Sequence, residues 1–456
     1  MEAGDGHGSA AVVIFMHPRK RRIRINPGIA CVAGLLLLLA GWRPARAEDL
    51  ASPRLGALRK EQETGGPAAL ERFWRRLTEE GTPLVEPVEE KGSERLVTFL
   101  WRGGDEIRNV LVVASPSDLA NEEGLAEARL SRLPGTDVWY KSRRMRADAR
   151  LGYAFSVNDS LIPGAKATEA EEEARWAALK PDPLNPRRAP EPLASLLELP
   201  EARKQPWIEP HPNVPAGQIE EQRFRSERLG NERIVRIYTP PGYDPHGKPY
   251  GLLVVLDGRT YTSDIPTPTI LDNLLAARRI PPLVAVFVAN PSPEARSLEL
   301  SCHPPFTEFL ARELIPWIHH GWRVTAEPTR TAIAGSSLGG LAAACAASKH
   351  SDVFGNVLSL SGSFSWQPPG EAEPEGLARQ LATGPKLPLR FYLEAGLMED
   401  RQRPEGPSLL TANRHLRTVL QAKGYAVDYR EFNGGHSILN WRGSIADGLL
   451  ALFGRD

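Results

Sequence analysis

Gly335-Ser-Ser-Leu-Gly339 sets a serine between two glycines in the pattern G-x-S-x-G, after the apolar run Thr331–Ala334 and before the small-residue stretch Leu341–Ala347. Strand, sharp turn and helix in that order make a nucleophile elbow, whose serine must take a strained backbone conformation. The positions two before and two after then need to lack bulk. They are Gly335 and Gly339, with Gly340 adding clearance. The chemistry this predicts is acyl transfer through Ser337, with the Leu338 N–H donating to the developing oxyanion. A glycine-rich turn without chemistry fits the same five residues, so the partners decide.

On this fold the acid and the histidine follow the nucleophile in the chain. Three histidines do so. His350 reads as a helix-end residue. His415 lies in Thr411–Gln421, where Leu416, Val419 and Leu420 recur at helical spacing, and reads as a solvated helix position. His436 follows the alternating strand Ala426–Phe432 and the pair Gly434-Gly435, which lets a short loop fold the imidazole back over the sheet edge. The acid is expected beyond the strand Leu389–Leu393. Glu394 is still in that strand, whereas Glu399 and Asp400 lie past Gly396 and can reach His436 Nδ1. Glu399 is preferred and Asp400 held in reserve. A second oxyanion donor is expected from Gly258 or Arg259, which follow the β-branched run Gly251–Leu256.

These residues need a sheet to hold them. Further apolar runs at Leu283–Ala289 and Val357–Leu360, alternating with helical segments, predict an α/β-hydrolase, a doubly wound and mostly parallel sheet over residues 216–456. Ahead of it, Arg95–Arg102, Asn109–Ala114, Asp137–Tyr140 and Tyr153–Val157 read as short strands of an all-β, immunoglobulin-like sandwich within residues 48–157. Trp101, Trp139, Tyr140 and Tyr153 are expected in its core or at a domain interface, and Arg143, Arg144, Arg146 and Arg150 on a solvated edge. Residues 158–215 are polar and proline-rich and read as a connector carrying one helix near Thr168–Leu179, with Thr168 as N-cap.

The 456 residues are 41% apolar and 25% charged, with 56 basic and 56 acidic side chains. Residues 1–47 hold Arg19-Lys-Arg-Arg22, an apolar core Ile29–Ala40 with five successive leucines, and Ala45-Arg-Ala47. That is a secretory signal cleaved after Ala47, with an apolar core too short to favour a membrane span. It predicts a periplasmic or secreted protein. Without it the chain keeps 49 basic and 54 acidic residues, a net of −5. No general basic field for nucleic acid remains. Of three cysteines, Cys31 leaves with the signal, and Cys302 and Cys345 are expected as two buried thiols, with one disulfide as the alternative. No cysteine or histidine spacing suggests a metal site.

The chain resembles the ferric enterochelin (enterobactin) esterases, the siderophore-hydrolysing branch of the esterase D-like α/β-hydrolases. The resemblance rests on Phe73-Trp74, GTPLVEP from Gly81, VTFLWR from Val97, PGTDVWY from Pro134, DPLNPR from Asp182 and LDG from Leu256. It continues through RSLEL from Arg296 with Cys302, GSSLGGL from Gly335, SGSFSW from Ser361, LEAG from Leu393, and GGH from Gly434 followed by Trp441. It implies Ser337 as nucleophile, His436 as base, Glu399 as acid and an Arg296–Glu299 pair. The implied substrate is a bulky, aromatic, trianionic ferric siderophore, for which Arg259, Arg296, Trp366 and Trp441 are the candidate contacts. Iron would then arrive within the substrate, with no cofactor. The cytoplasmic two-domain members of this group lack an export signal, which this sequence carries. Two alternatives remain open here: an exported feruloyl or acetyl esterase acting on glycans, and a siderophore-binding protein without catalysis.

Overall fold

The computed structural model describes residues 51–88, 92–190, 193–401 and 406–454. The expected export signal lies outside them. The chain divides into two compact units, one up to Arg75 and one from Arg76 onward. Helical residues run from Pro53 to Glu80, interrupted at Gly66 (φ 53°), the residue before Pro67. Residues 48–157, expected to be all-β, therefore open in helix. No helix of the described residues is long and apolar enough to cross a membrane.

In the second unit, seven strands form two antiparallel sheets. They are β1 (Leu84–Pro87), β2 (Glu94–Arg102), β3 (Val110–Val113), β4 (Ser131–Arg132), β5 (Val138–Arg146), β6 (Arg150–Val157) and β7 (Ser195–Glu198). The orders are β1-β2-β5-β4 and β3-β6-β7. One core joins them, with Val97 and Phe99 of β2 meeting Val110 and Val112 of β3, Tyr153 and Phe155 of β6, and Leu197 of β7. Trp139 and Tyr153 are buried as expected, and Trp101 is partly buried against the same core.

Strand β7 corrects the reading of residues 158–215 as a plain connector, because it pairs with β6 from Arg150↔Glu198 to Tyr153↔Ser195. What folds the segment back is a buried polar cluster. Tyr153 donates to Asp182 Oδ2 at 2.6 Å, Asn185 Nδ2 donates to the Leu196 carbonyl at 3.0 Å, and Asp182 N–H donates to Ser195 Oγ at 2.8 Å. The Asp-Pro-Leu-Asn-Pro run is thus a set of anchors. Thr168 caps the helix Glu169–Ala177 in a capping box with Glu171.

The remaining strands are β8 (Gln218–Ser226), β9 (Asn231–Thr239), β10 (Gly251–Leu256), β11 (Leu283–Val288), β12 (Thr331–Ser336), β13 (Asn356–Leu360), β14 (Arg390–Gly396) and β15 (Ala426–Phe432). They build one eight-stranded sheet in the order β15-β14-β13-β12-β10-β11-β9-β8, parallel from β11 to β15 and antiparallel at the β9 and β8 edge. The β8–β9 hairpin is an addition to the strands read from sequence. Strand β10 shows why its residues are all apolar. Leu252, Val254 and Leu256 enter a core with the helix Leu338–Lys349, while Leu253 and Val255 enter another with the helices Thr267–Ala276 and Ile438–Phe453. Both faces are covered by helices, so period-2 alternation delivers every side chain to a core.

Candidate active site

Ser337 sits between β12 and the helix Leu338–Lys349 with φ 57° and ψ −123°. Holding a non-glycine residue there costs on the order of 1–3 kcal/mol and persists only where the surroundings over-determine it. Here they do. A Cβ on Gly335 would lie 2.5 Å from the Gly339 carbonyl carbon, and one on Gly340 would lie 2.4 Å from Ser359 Oγ. The Ser337 N–H donates to the Leu360 carbonyl at 3.0 Å, and its own carbonyl accepts from Leu341 and Ser363 at 3.1 and 3.0 Å. Its hydroxyl meets Ser363 Oγ at 3.4 Å. Ser363, which the sequence reading did not single out, lies three residues past the end of β13, a position the SGSFSW motif alone could have flagged.

His436 follows β15 through Gly434-Gly435, and its Nδ1 is 3.2 Å from Glu399 Oε1. The Glu399 side chain is 1% exposed and the imidazole 34% exposed, so a buried carboxylate faces an accessible ring. Asp400 points elsewhere. Its Oδ1 accepts from Ser408 Oγ at 3.0 Å, and Ser408 caps the helix Leu409–Ala422. His350 ends the elbow helix and His415 bonds Glu375 at 2.8 Å on a half-exposed helix position, so neither joins the group.

Three expectations for the site need correction. Gly258 cannot serve as an oxyanion donor, because its N–H already donates to the Val288 carbonyl at 2.8 Å, continuing the parallel ladder. A Cβ there would lie 2.6 Å from the Phe287 carbonyl carbon, which is why the position is glycine. Arg259 is the next N–H in the chain, at the start of the helix Thr260–Ser263, and its side chain is exposed.

Arg296 is engaged with Asp257, through Nε to Oδ1 at 2.7 Å and Nη2 to Oδ2 at 2.8 Å. Burial works against its charge, but this two-pronged bond outweighs burial and raises the guanidinium pKa. Glu299 therefore does not pair with Arg296. It accepts from the fully buried Arg233 at 2.7 and 3.0 Å. The two Cys are one disulfide, Cys302–Cys345, not two thiols. The segment Pro293–Cys302 is thereby pinned to β10, β9 and the elbow helix, through Arg296, Glu299 and Cys302 in turn.

Trp441 is the third correction to the site residues. It is 7% exposed, its indole N–H donates to Ser361 Oγ at 3.0 Å, and its ring stands at 90° to the His436 ring. It braces the histidine instead of offering a face to a ligand. Trp366 is half-buried, and its backbone accepts from Gly376 and donates to Ser363. Asp257, Ser337, Ser361 and Cys302 all have positive φ, between 49° and 57°, so backbone strain is held at the elbow and in the loops that bond to it.

Glu394 is fully buried within β14. Burial first, and the Asp447 charge after it, push its carboxyl pKa up to about 8 against the hydrogen bonds from Ser444 and Tyr392. It is a neutral acid at pH 7, unsuited to holding an imidazolium.

A family model for putative esterases matches residues 226–452, and one for the N-terminal part of enterochelin esterases matches residues 96–208. The chain is 33% identical over 377 residues to the iron(III) enterobactin esterase of Escherichia coli O6:H1 strain CFT073, covering 78% of this chain and 91% of that one. It belongs to the enterobactin esterase family. Among solved structures, the ferric enterobactin esterase of Salmonella typhimurium matches at 31% identity and a TM-score of 0.67, over 84% of this chain and 98% of that one. The Shigella flexneri enterobactin esterase, crystallised in the presence of enterobactin, matches at 30% identity and a TM-score of 0.65, over 84% and 97%. In this enterobactin esterase family member, the elbow, the His436–Glu399 pair and the Asp257 loop all stand in the part matched by the esterase model.

Proposed function

We propose that this protein is a serine esterase that hydrolyses the ester bonds of a ferric catecholate siderophore of the enterobactin type, releasing its iron. The observation that carries the reading is similarity to iron(III) enterobactin esterases through both the N-terminal sheets and the hydrolase part, over 91% of the relative's length. An esterase for glycans would account for the elbow but not for the match over residues 96–208.

Ser337 is the nucleophile. As its Oγ attacks the ester carbonyl, His436 Nε2 takes its proton, and Glu399 fixes the Nδ1–H tautomer and stabilises the imidazolium. Turning Oγ from Ser363 toward the ring arms it, as catalytic hydrogen bonds tighten in the substrate complex. The N–H groups of Leu338 and Arg259 receive the oxyanion. Leu338 opens a helix, where backbone donors lack intrahelical acceptors. His436 then gives its proton to the leaving alkoxide, the acyl group stays on Ser337, and water activated by His436 releases the acid.

Iron enters as part of the substrate, and the protein needs no cofactor. The trianion meets a chain of mature net charge −5, so recognition is local, with exposed Arg259 and half-buried Trp366 as its contacts. The N-terminal sheets form an immunoglobulin-like sandwich. Their orders, β1-β2-β5-β4 and β3-β6-β7, follow the ABED and CFG pattern. The protein is exported after cleavage behind Ala47, a reading supported by the Cys302–Cys345 disulfide. N-terminal sequencing of exported material should begin at Glu48.

The decisive experiment compares ferric enterobactin, a nitrophenyl ester and a feruloylated sugar as substrates for the wild type, Ser337→Ala and His436→Ala. The wild type should cleave the trilactone fastest, and each variant should lose at least about a thousandfold in kcat while staying folded. Faster cleavage of the sugar ester would replace the substrate. Retained turnover in Ser337→Ala would remove the mechanism.

A further inference from the structure

The loops carrying His436 and Glu399 are bonded to the turns and helices of the N-terminal β domain as well as to each other. Strand β15 ends at Phe432. The next residue, Asn433, accepts from the Arg150 N–H at 3.0 Å through its carbonyl and donates from Nδ2 to Asp148 Oδ1 at 2.7 Å. Asp148 lies in the turn between β5 and β6, and Arg150 opens β6. A Cβ on Gly434 would lie 2.8 Å from the Arg150 carbonyl oxygen, so the histidine loop touches that turn with no room for a side chain.

The acid loop is held in the same way. Arg401, two residues beyond Glu399, donates to the Ser117 carbonyl and, at 3.0 Å, to Asn121 Oδ1. Asn121 is itself fixed as the N-cap of the helix Glu122–Ala128. The two loops meet where the Met398 N–H donates to the Gly434 carbonyl at 3.1 Å.

We propose that Asp148, Arg150, Ser117 and Asn121 form a positioning surface that sets the spacing of His436 and Glu399, so that the N-terminal β domain serves the chemical step. This rests on His436 and Glu399 being the base and acid, and adds what keeps them 3.2 Å apart. A loop containing Gly434-Gly435 has large backbone freedom and cannot aim an imidazole by itself. Packing of the Trp441 ring against the imidazole supplies part of that aim. Beside the loop contacts lies a cavity of about 240 Å3 bordered by Asp148, Arg150, Asn433, Asn440 and Ser444, so on that side the loops are held by directed polar bonds. Asp148 is suited to that. Burial opposes its charge, yet the bonds from Arg146 and Asn433 outweigh it and hold its carboxyl below the usual range, leaving an ionised acceptor at working pH. A displacement of about 1 Å in such a pair can cost a hundredfold in rate.

The test uses the full mature chain and an uncharged nitrophenyl ester, with Asp148→Ala and Asn121→Ala alone and combined. Each single variant should lower kcat about tenfold with KM within about twofold, and the combination should lower it further. The acid limb of the pH profile of kcat/KM should move to lower pH, since a carboxylate set farther off stabilises the imidazolium less. Asp148→Asn, which keeps an oxygen for Asn433 Nδ2, should recover most of the kcat. If the combined variant does not fold, Asn433→Ala removes one bond only and should show the same split.

A folded combined variant with kcat within twofold of wild type and an unmoved pH profile would overturn the proposal. So would Asp148→Asn as slow as Asp148→Ala, or a rise in KM confined to the siderophore. Failure of the wild type on every trilactone would sink the substrate reading alone and leave this test standing.

Discussion

The ring of Trp441 stands perpendicular to the imidazole of His436, their centroids 4.7 Å apart, while its indole N–H holds Ser361 Oγ at 3.0 Å. Ser361 has φ 49° and follows β13 directly, so one tryptophan ties the histidine to the strand beside the elbow. Trp441→Phe keeps a ring against His436 and deletes the hydrogen bond. It should lower kcat about five- to tenfold with KM unchanged on a nitrophenyl ester, as expected for lost orientation. A selective rise in KM for the siderophore would return Trp441 to the substrate contacts.

Adjacent carboxylates separate by partner. Glu399→Gln should lower kcat by about two to four orders of magnitude, because only this residue faces His436 Nδ1. Asp400→Asn alters a bond to the helix-capping Ser408 and should cost no more than about 1 kcal/mol of stability, with turnover nearly normal. Rates and urea midpoints of the two variants decide between them, and a larger rate loss in Asp400→Asn would reverse the roles.

The two arginines near the elbow should behave differently. Arg296→Ala leaves Asp257, 7% exposed, without its ion-pair partner, at a cost near the lower end of about 3–5 kcal/mol since Arg296 is partly exposed. Because Asp257 precedes Gly258 and Arg259, kcat should fall equally for charged and uncharged esters. Arg259→Ala should instead raise KM for the ferric siderophore well above its effect on a nitrophenyl ester. Parallel Michaelis constants for both substrates in both variants would refute this division.

Glu394 predicts a pH dependence of stability. Its folded pKa of about 8 lies above the ordinary carboxylate value of 4.5, so the native state holds a proton that the unfolded state gives up. The stabilisation is complete below about pH 4.5 and is lost as pH rises through about 8. Between pH 5 and pH 9, Glu394→Gln should therefore lose less stability than the wild type. The difference should exceed about 1.4 kcal/mol, the worth of one pKa unit. Superimposable urea midpoints across that range would show that Glu394 is ionised in the native state.

What could be read from the sequence was local. The elbow is recognisable because the requirement for Gly335 arises within five residues, where a Cβ would strike the backbone of Gly339 in the chain's own next turn. Strands β10 to β13 could be placed because burial on both faces demands unbroken apolar runs, and β15 because its residues alternate. His436 stood out because two glycines after a final strand let a short loop fold the imidazole back over the sheet edge.

What only the tertiary structure decided was which groups find each other. Nothing in the spacing of Glu399 and Asp400 says which one turns inward, since that follows from the short turn Leu397–Glu399 and from Ser408 claiming Asp400. Gly258 lost its expected role to a ladder bond with Val288, and Arg296 found Asp257 rather than Glu299, its neighbour three residues on. The same holds for Arg401 with Ser117 and Asn433 with Asp148, partners separated by 284 and 285 residues. Hydrogen bonds are directional and act at about 3 Å, so their pairing is settled by where the packed sheets bring the backbone, a property no single stretch of sequence contains.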